Sequence, residues 1–437
     1  MRSRSSSGTS RTAGTDDRLG PVRPVRHPGA PGRRAADTVR RAGLHLLDTL
    51  GAALAGSASV EAGLARRAAR AEGGLGTGPA AIWGTAGRAC PQTAAFVNGV
   101  AAHAFELDDS GGCDHSGAVV VPAALAAVAV AGRPVTGAEL TSPSCSATSS
   151  GAGCRPPSAA TTRSTSAAGT PPACAARSPP RRPRPGARAG RRGAHLGDRP
   201  GRSFTGGTWA FVDDSAMSKR LHVGRAAECG LHAALLAREG FTGPAAVFEA
   251  GWGGVLGLYA GPGVADPAAI SGGLGEHWQL DRSSIKPYAS CRSTHSTIDA
   301  VLRLREQGLR AERVDALEVH ASELIVQMCG GADLSSLVSA QLSLPFAVAV
   351  AAVRGDVGLD DILAGRTDPG CSTCWTGSRC TPTPASTAAR PSPGCGSPAA
   401  VGASPRRPSG PRRGREPAER RPDPGQVRSP GGPPVAR

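Results

Sequence analysis

Between His103 and Pro122 the chain reads HAFELDDSGGCDHSGAVVVP. Four acids, Glu106, Asp108, Asp109 and Asp114, and one base, His115, fall close together between two apolar runs, AAFVNGVAAHAF and AVVVPAALAAVAV. Both runs read as buried helix. Ionisable groups held between buried segments are costly unless they are paired or used. A histidine with a reference pKa near ~6.5 can take or give a proton near neutrality. A lone histidine is ordinarily a satisfied core residue, but four acids beside His115 weigh toward chemistry. Asp108 and Asp109 have the character to orient a histidine or bond a substrate hydroxyl; the competing use is capping a helix end. Only one of two adjacent residues normally points into a site. Gly111, Gly112 and Gly117 let the backbone turn between the two helices.

The cations are distributed unusually. The chain has two lysines, Lys219 and Lys286, against 48 arginines. Arginine is a planar fork and lysine a compact donor. Two lysines in a chain that otherwise uses arginine mark positions where a point charge is wanted. His222 follows Lys219 by three residues and shares its face if the segment is helical. Arg292 and His295 follow Lys286 on a turn and helix start, a place suited to anions.

Three stretches together carry a resemblance. AAFVNGVAAHAFELDDS followed by HSGAVVVPAALA, AMSKRLHVGRAAECGLHAALLAREGFTGPAAVFEAGWGG at 216–254, and IKPYASCRSTHSTIDAVLRL at 285–304 resemble, in order, the signature segments of the MmgE/PrpD family. The resemblance covers about 40–140 and 208–363. It implies an enzyme that works without cofactor or metal on small di- or tricarboxylates: a 2-methylcitrate dehydratase of propionate catabolism, a cis-aconitate decarboxylase or an iminodisuccinate epimerase. It also implies a homodimer. The implied fold is mainly α, a large helical domain with a smaller α+β lid domain and the site between them. Dehydration needs a base beside a carboxylate, an acid for the leaving hydroxide, and cations for the carboxylates. On that scheme His115, Asp108, Asp109, Lys219 and Lys286 are the catalytic set. Glu106, Ser110, His222, Tyr288, Cys291, Arg292 and His295 line the substrate. Relatives often carry Asp where Glu106 stands and Thr where Ser110 stands.

The net charge of +16 points first to nucleic acid or an anionic surface. Its distribution argues otherwise. Residues 1–34, 141–203 and 366–437 carry +6, +10 and +8, so the remainder carries −8. The basic stretches have almost no aromatics on which bases could stack, so a basic, disordered binding protein is the weaker reading. No nucleic-acid or membrane partner is expected. The longest uncharged apolar run, Gly117 to Gly132, falls short of the ~20 residues that span a bilayer. No secretory signal is visible, and seven of the twelve cysteines lie in the basic stretches. The expected setting is cytoplasmic, with free thiols and no metal site.

The elements that must position these residues read as follows. Residues 1–34 have no periodicity and read as disordered. Residues 35–56 form an amphipathic helix with Val39, Leu44, Leu47, Leu50 and Leu54 on one side, and 60–72 a second. Residues 73–84 are a loop into an extended piece, and 91–130 two buried helices around the acid/histidine stretch. An Ala-rich helix spans 224–239 and a short one lies within 245–260. STIDAVLRLREQ is a helix, VDALEVHAS a strand and LPFAVAVAAVRG a helix. The helical domain occupies 35–140 and 204–270, the α+β domain 271–365.

At 141–203 the text holds one Leu and no Val, Ile, Met, Phe, Tyr or Trp, and 366–437 is nearly as poor. Such segments cannot bury enough apolar area to offset their chain entropy. The family places helices and a further active-site histidine motif in the first of them, and no such motif is present. Wrong-frame translation of a GC-rich gene accounts for two abrupt breaks with the resemblance resuming in register; genuine linkers are the rival. On this expectation the chain as written folds poorly and is a weak or non-functional product. Translating the coding DNA in all three frames should yield family-like text across both stretches. A chain carrying that text should melt more cooperatively and turn over faster than the 437-residue chain. Robust turnover from the chain as written would restore the linker reading.

Overall fold

The computed structural model describes residues 33–111, 115–141, 207, 210–244, 247–248, 250, 252–259, 278–376, 378–382 and 400–405. Asp114 and the stretches 1–32, 142–206 and 406–437 lie outside them. The described part is mostly helical with a few short strands.

In the first half, helices α1 (Arg33–Gly56) and α2 (Val60–Ala71) lead through strand β1 (Leu75–Ala81) and strand β2 (Arg88–Ala89) to helix α3 (Pro91–Ala102). Strand β3 (Ser110–Gly111) carries the chain into helix α4 (Ser116–Val128). After the undescribed stretch come α5 (Phe211–Asp214), α6 (Ser218–Arg238) and α7 (Val255–Tyr259). Ser59 caps α2 by accepting from the Ala62 amide at 3.1 Å, and Pro91 sits at the start of α3, where a missing N–H costs nothing. Helix α3 is apolar nearly all round and is the centre of packing, against α1, α2, α4 and α6. Where α3 crosses α6 the backbones touch. A Cβ on Gly224 would meet the Phe96 carbonyl oxygen and Val100 Cγ2, each at 2.7 Å.

The second half is built on α11 (Leu344–Arg354), whose Phe346, Val348 and Val350 are fully buried. Strand β4 (Ser283–Ser284) pairs antiparallel with β3, Ser110 opposite Ser284. Helix α8 (His295–Glu306), strand β5 (Val314–Ala321) and helices α9 (Glu323–Cys329), α10 (Leu337–Gln341), α12 (Leu359–Gly365) and α13 (Pro369–Thr376) surround α11. Strands β6 (Ser378–Pro382) and β7 (Ala400–Pro405) flank β5 in the order β6-β5-β7, the first parallel and the second antiparallel.

Three expectations change. Helix α1 forms, but its leucines are not the inward face: Leu44, Leu47 and Leu54 are 44%, 67% and 56% exposed. Thr38, Ala42, His45, Thr49 and Ala53 are buried instead. Small and polar residues let this face approach α3 and α4 closely. Helix α6 begins at Ser218, six residues before the expected start, so it contains Lys219 and His222. Order also continues past 365, where a structureless tail is expected. Helix α13 places Cys371 in the core around α11, because a thiol packs as a small hydrophobe although it is not a large aliphatic. Of the helix expected within 245–260, the described residues show the five-residue α7.

Gly224→Ala should cost about 1–3 kcal/mol by forcing α3 and α6 apart. Urea unfolding of the two proteins measures it, and equal midpoints would remove the crossing from the account of stability.

Candidate active site

Two expected lysines meet around one expected carboxylate. Glu106, fully buried, accepts from Lys219 Nζ at one oxygen and from Lys286 Nζ at 3.1 Å at the other. Lys286 Nζ also donates to the Glu106 carbonyl at 3.1 Å. The Arg220 guanidinium approaches the first oxygen at 3.8 Å. Burial works against the charge on Glu106, but Lys219, Lys286 and Arg220 outweigh it and hold the carboxyl well below its ordinary range. Lys286 is likewise penalised by burial and held above its ordinary value by Glu106 and Asp108. Three cations thus converge on one anion.

Arg220 was not singled out by sequence, yet it is 1% exposed. Its Nη2 donates to the Ala104 carbonyl at 3.3 Å and to Gln341 Oε1 at 3.2 Å. Among the described residues its Nε and Nη1 have no partner. Gln341, also fully buried, gives its amide Nε2 to the Phe105 carbonyl at 2.7 Å and takes the Cys291 N–H on its own carbonyl at 2.9 Å. It ties α6, the turn before Glu106 and the turn at Cys291 together.

Asp108 gathers two histidines. Its Oδ2 accepts from His115 Nδ1 at 2.8 Å and from His103 Nδ1 at 2.9 Å, and the rings lie edge to face at 4.4 Å. Burial opposes the Asp108 charge, and the two rings with Lys286 outweigh it, leaving the carboxyl well below its usual range. A carboxylate accepts only, so each ring carries its proton on Nδ1 and presents Nε2 as a base. His103 is fully enclosed, and burial pushes it down to about 3. The His115 side chain is 16% exposed, so it is the ring that can meet a substrate. Glu106 and His115 both sit at positive φ, 54° and 48°. Left-handed backbone at two non-glycine residues is strain of the kind that collects at working sites.

Asp109 faces away from this pair. Its Oδ1 accepts from the Gly117 amide at 2.8 Å, and its Oδ2 from His45 Nδ1 at 3.1 Å and Ser116 Oγ at 3.2 Å. It therefore caps α4, the alternative use open to it in the sequence. Gly117 is required there: a Cβ would lie 2.4 Å from Thr49 Oγ1 and 2.9 Å from Asp109 Oδ1. Asp48, one turn beyond His45 on α1, has a buried Oδ2 with no partner among the described residues. Burial and Asp109 raise it to about 6.

The other expected residues lie farther out. Ser110 is buried in the β3–β4 pair. His222 packs edge-on against Phe211 at 6.1 Å, and burial lowers its pKa. Tyr288 donates to Asp299 Oδ1 at 2.6 Å and stacks edge-on against His295. His295 is directed at the Ser290 carbonyl through Nε2 at 3.2 Å, and burial lowers it to about 3. Arg292 is half-buried on the turn ahead of α8. Cys291 is half-buried, and the neighbouring Cys329 thiol, with Lys219 nearby, lowers it to about 6.

His103, Asp108 and His115 also bring one ligand atom each within 4.8 Å of one another, the spacing of a possible cation site. The two Nδ1–H donors already satisfy the shared oxygen, and the proton-transfer reading uses that arrangement as it stands.

Two family models fit this chain. Residues 32–143 and 202–265 match the MmgE/PrpD N-terminal domain, and 288–401 match the MmgE/PrpD C-terminal domain. The chain belongs to the MmgE/PrpD family. The second match, like α13, runs past residue 365. A stretch of 93 residues is 34% identical to the cis-aconitate decarboxylase-like protein oryM of Aspergillus oryzae, covering 20% of this chain and 19% of that one. Among the described residues no helix is long and apolar enough to cross a membrane.

The buried groups set the pH response. Glu106 and Asp108 are held below their ordinary 4.5 and 3.8, and His103 and His295 stay neutral to about 3 against an ordinary 6.5. In the acid range the unfolded chain binds more protons at all four, so stability falls as pH drops through about 6.5 and on through the carboxylate range. Asp48 acts oppositely: its raised pKa stabilises the fold at low pH, and the benefit is lost as pH rises through about 6. The thermal midpoint should therefore fall between pH 7 and pH 4. Asp48→Asn should raise it more at pH 8 than at pH 5. A flat midpoint across the acid range would contradict these assignments.

Proposed function

We propose that this chain is a lyase that removes water from a small hydroxy di- or tricarboxylate such as 2-methylcitrate, in a cleft between the parts built on α3 and α11. The observation that carries the reading is the surplus of buried cations at Glu106 beside the Asp108–His115 pair. Lys219, Lys286 and Arg220 exceed the one carboxylate they touch by two charges. Substrate carboxylates balance that surplus, and the two unpartnered Arg220 nitrogens are suited to receive one of them.

In this reading His115 Nε2 takes the proton beside a substrate carboxylate. The Nδ1–H bond to Asp108 fixes the tautomer and stabilises the imidazolium that forms. Charge accumulating on the carboxylate is met by the lysine ammoniums, already in place before the step. A lysine N–H assists the departing hydroxide. Asp109 serves by holding α4 and His45 in place. No step calls on a cofactor or metal, in keeping with what the family resemblance implies. The homodimer comes from the same resemblance, and the setting proposed is cytoplasmic. Decarboxylation of cis-aconitate is the second reading, favoured by the match to the decarboxylase-like relative; it uses the same cations to hold charge while carbon dioxide leaves.

Incubation with 2-methylcitrate, citrate and cis-aconitate, with and without EDTA, separates the readings by the product formed. Dehydration unaffected by EDTA is expected. Carbon dioxide from cis-aconitate alone would select the decarboxylase, and activity lost to EDTA and restored by metal would overturn the scheme. Lys219→Ala and Lys286→Ala should each lose ~1.5–3 kcal/mol of substrate stabilisation, roughly ten- to hundredfold in kcat/KM. Circular dichroism of the same samples checks that the fold survives. Unchanged kcat/KM in both folded variants would return these lysines to a purely structural role.

A further inference from the structure

The cluster of His103, Asp108 and His115 holds more polar atoms than the proton transfer uses. Asp108 Oδ1 and His103 Nε2 are buried and have no hydrogen-bond partner among the described residues. Both residues are fully enclosed. A buried carboxylate oxygen without a donor costs free energy that a bound cation offsets. One ligand atom from each of the three residues lies within 4.8 Å of the others, and among the described residues no second group of three has that spacing. Asp108 Oδ2 stands 2.8 Å from His115 Nδ1 and 2.9 Å from His103 Nδ1.

We propose that His103, Asp108 and His115 form an inhibitory site for a zinc-class divalent cation, which binds between the two Nδ1 atoms and the Asp108 carboxylate and takes His115 out of use as a base. Two imidazoles and one carboxylate suit zinc and its neighbours. They do not suit calcium or magnesium, which call for oxygen on all sides. Of the first-row cations that fit, zinc binds such a donor set more strongly than ferrous iron does. Three protein ligands leave a fourth tetrahedral position to water. Ligands ~2.0–2.1 Å from a tetrahedral ion stand roughly 3.3 Å apart, so each N–O pair opens by about half an ångström from its present 2.8 or 2.9 Å. The ion reaches the cluster past His115, whose side chain is 16% exposed against 1% for His103 and 0% for Asp108.

The proton count closes without release. Each ring carries its proton on Nδ1 and an open lone pair on Nε2, because the carboxylate oxygen between them only accepts. A metal ligand must give up its proton, so as the ion takes Nδ1 the proton is bound again on Nε2 of the same ring. Both rings stay neutral. His115 Nε2, the base of the proposed reaction, then carries a proton and can accept none. Asp108, which fixed the working tautomer, is engaged by the ion instead. The nearby ammoniums of Lys219 and Lys286 are both paired with Glu106, which limits their repulsion of a cation at Asp108.

The loss of turnover rests on His115 being the base of the proposed function; the binding does not. The full chain, freed of metal with EDTA and dialysed, would be titrated with zinc chloride by calorimetry and with cobalt chloride by visible absorption. Saturable binding is expected, with the cobalt bands of a four-coordinate nitrogen and oxygen site. Zinc should protect His115 from carbethoxylation by diethyl pyrocarbonate, read by peptide mapping, because its Nε2 is then protonated. His103→Gln should weaken cobalt binding by at least the ~10–100-fold that loss of a supporting partner costs. Circular dichroism checks that this variant folds, and the protection of His115 needs no variant. Free zinc would be set by a metal buffer, because tricarboxylates chelate it themselves. At saturation kcat should fall ~100-fold or more and return with EDTA. Cobalt bound only through thiolates, or equal reactivity of His115 with and without zinc, would overturn the site. So would unchanged cobalt binding in folded His103→Gln. Zinc bound at the site with turnover unchanged or raised would overturn the inhibition. If none of the carboxylates is turned over, the proposed function fails while the cobalt spectrum and the peptide map still decide the site.

Discussion

The position of Glu106 is the constraint on which the other elements depend. A carboxylate with no exposed surface is tolerated only if its charge is met where it stands. The groups that meet it come from far along the chain: Lys219 and Arg220 from the first turn of α6, and Lys286 from the turn before α8. The first half of the fold must therefore bring α6 against the end of α3, and the second must deliver residues 283–286. The β3–β4 pair performs the latter, fastening Ser283 and Ser284 to Gly111 and Ser110. The left-handed backbone at Glu106 is held by the same contacts, since Lys286 grips both its side chain and its carbonyl. Loss of Glu106 would leave three cations packed together, a larger electrostatic fault than loss of one of them.

Adjacent aspartates share the remaining work. Asp108 and Asp109 are chemically alike and adjacent, but at the bend before β3 their side chains take different partners. One turns toward His103 and His115, the other toward His45, the Ser116 hydroxyl and the Gly117 amide at the start of α4. The capping aspartate fixes the end of α4, and with it the backbone that carries His115 in its left-handed conformation. The geometry of the proposed proton-transfer pair thus leans on a helix cap one residue away from its carboxylate.

The gathering of Glu106, Asp108, His115, Lys219 and Lys286 was legible because charged residues flanked by apolar helices have few uses other than pairing or chemistry. Lysine scarcity among arginines marked two of them. What escaped was whatever depended on the direction a side chain takes. Leucines at helical spacing on α1 looked like its inward face, so His45 and Asp48 on the opposite side were overlooked. Arg220 was one arginine among 48 and carried no compositional signal. Gln341 sits on a five-residue helix whose periodicity is too short to read. His103 opens the stretch in plain view, but its bond to Asp108 spans a turn whose path spacing alone does not fix. The expected end of order near 365 failed for a related reason: apolar content counted in large aliphatics misses Cys371.

The site is assembled across the break in the text at 141–203. Glu106, Asp108 and His115 precede it, and Lys219, Lys286 and Gln341 follow it. No element within the described residues between Thr141 and Thr208 joins the two sides; packing does. The seam is the α3–α6 crossing, where Gly99 and Gly224 lie so close that a Cβ on Gly99 would come within 3.0 Å of the Gly224 Cα. Glycines at the crossing let the axes approach until Lys219 and Arg220, on the first turn of α6, reach Glu106 just beyond the end of α3. A bulkier crossing would hold the helices apart by part of a side-chain diameter. Hydrogen bonds fail over such distances, and a buried ion cluster has no water to compensate. The coupling between a small-residue helix crossing and a charge cluster at its end explains how the halves on either side of so poor a stretch can still define one chemical site.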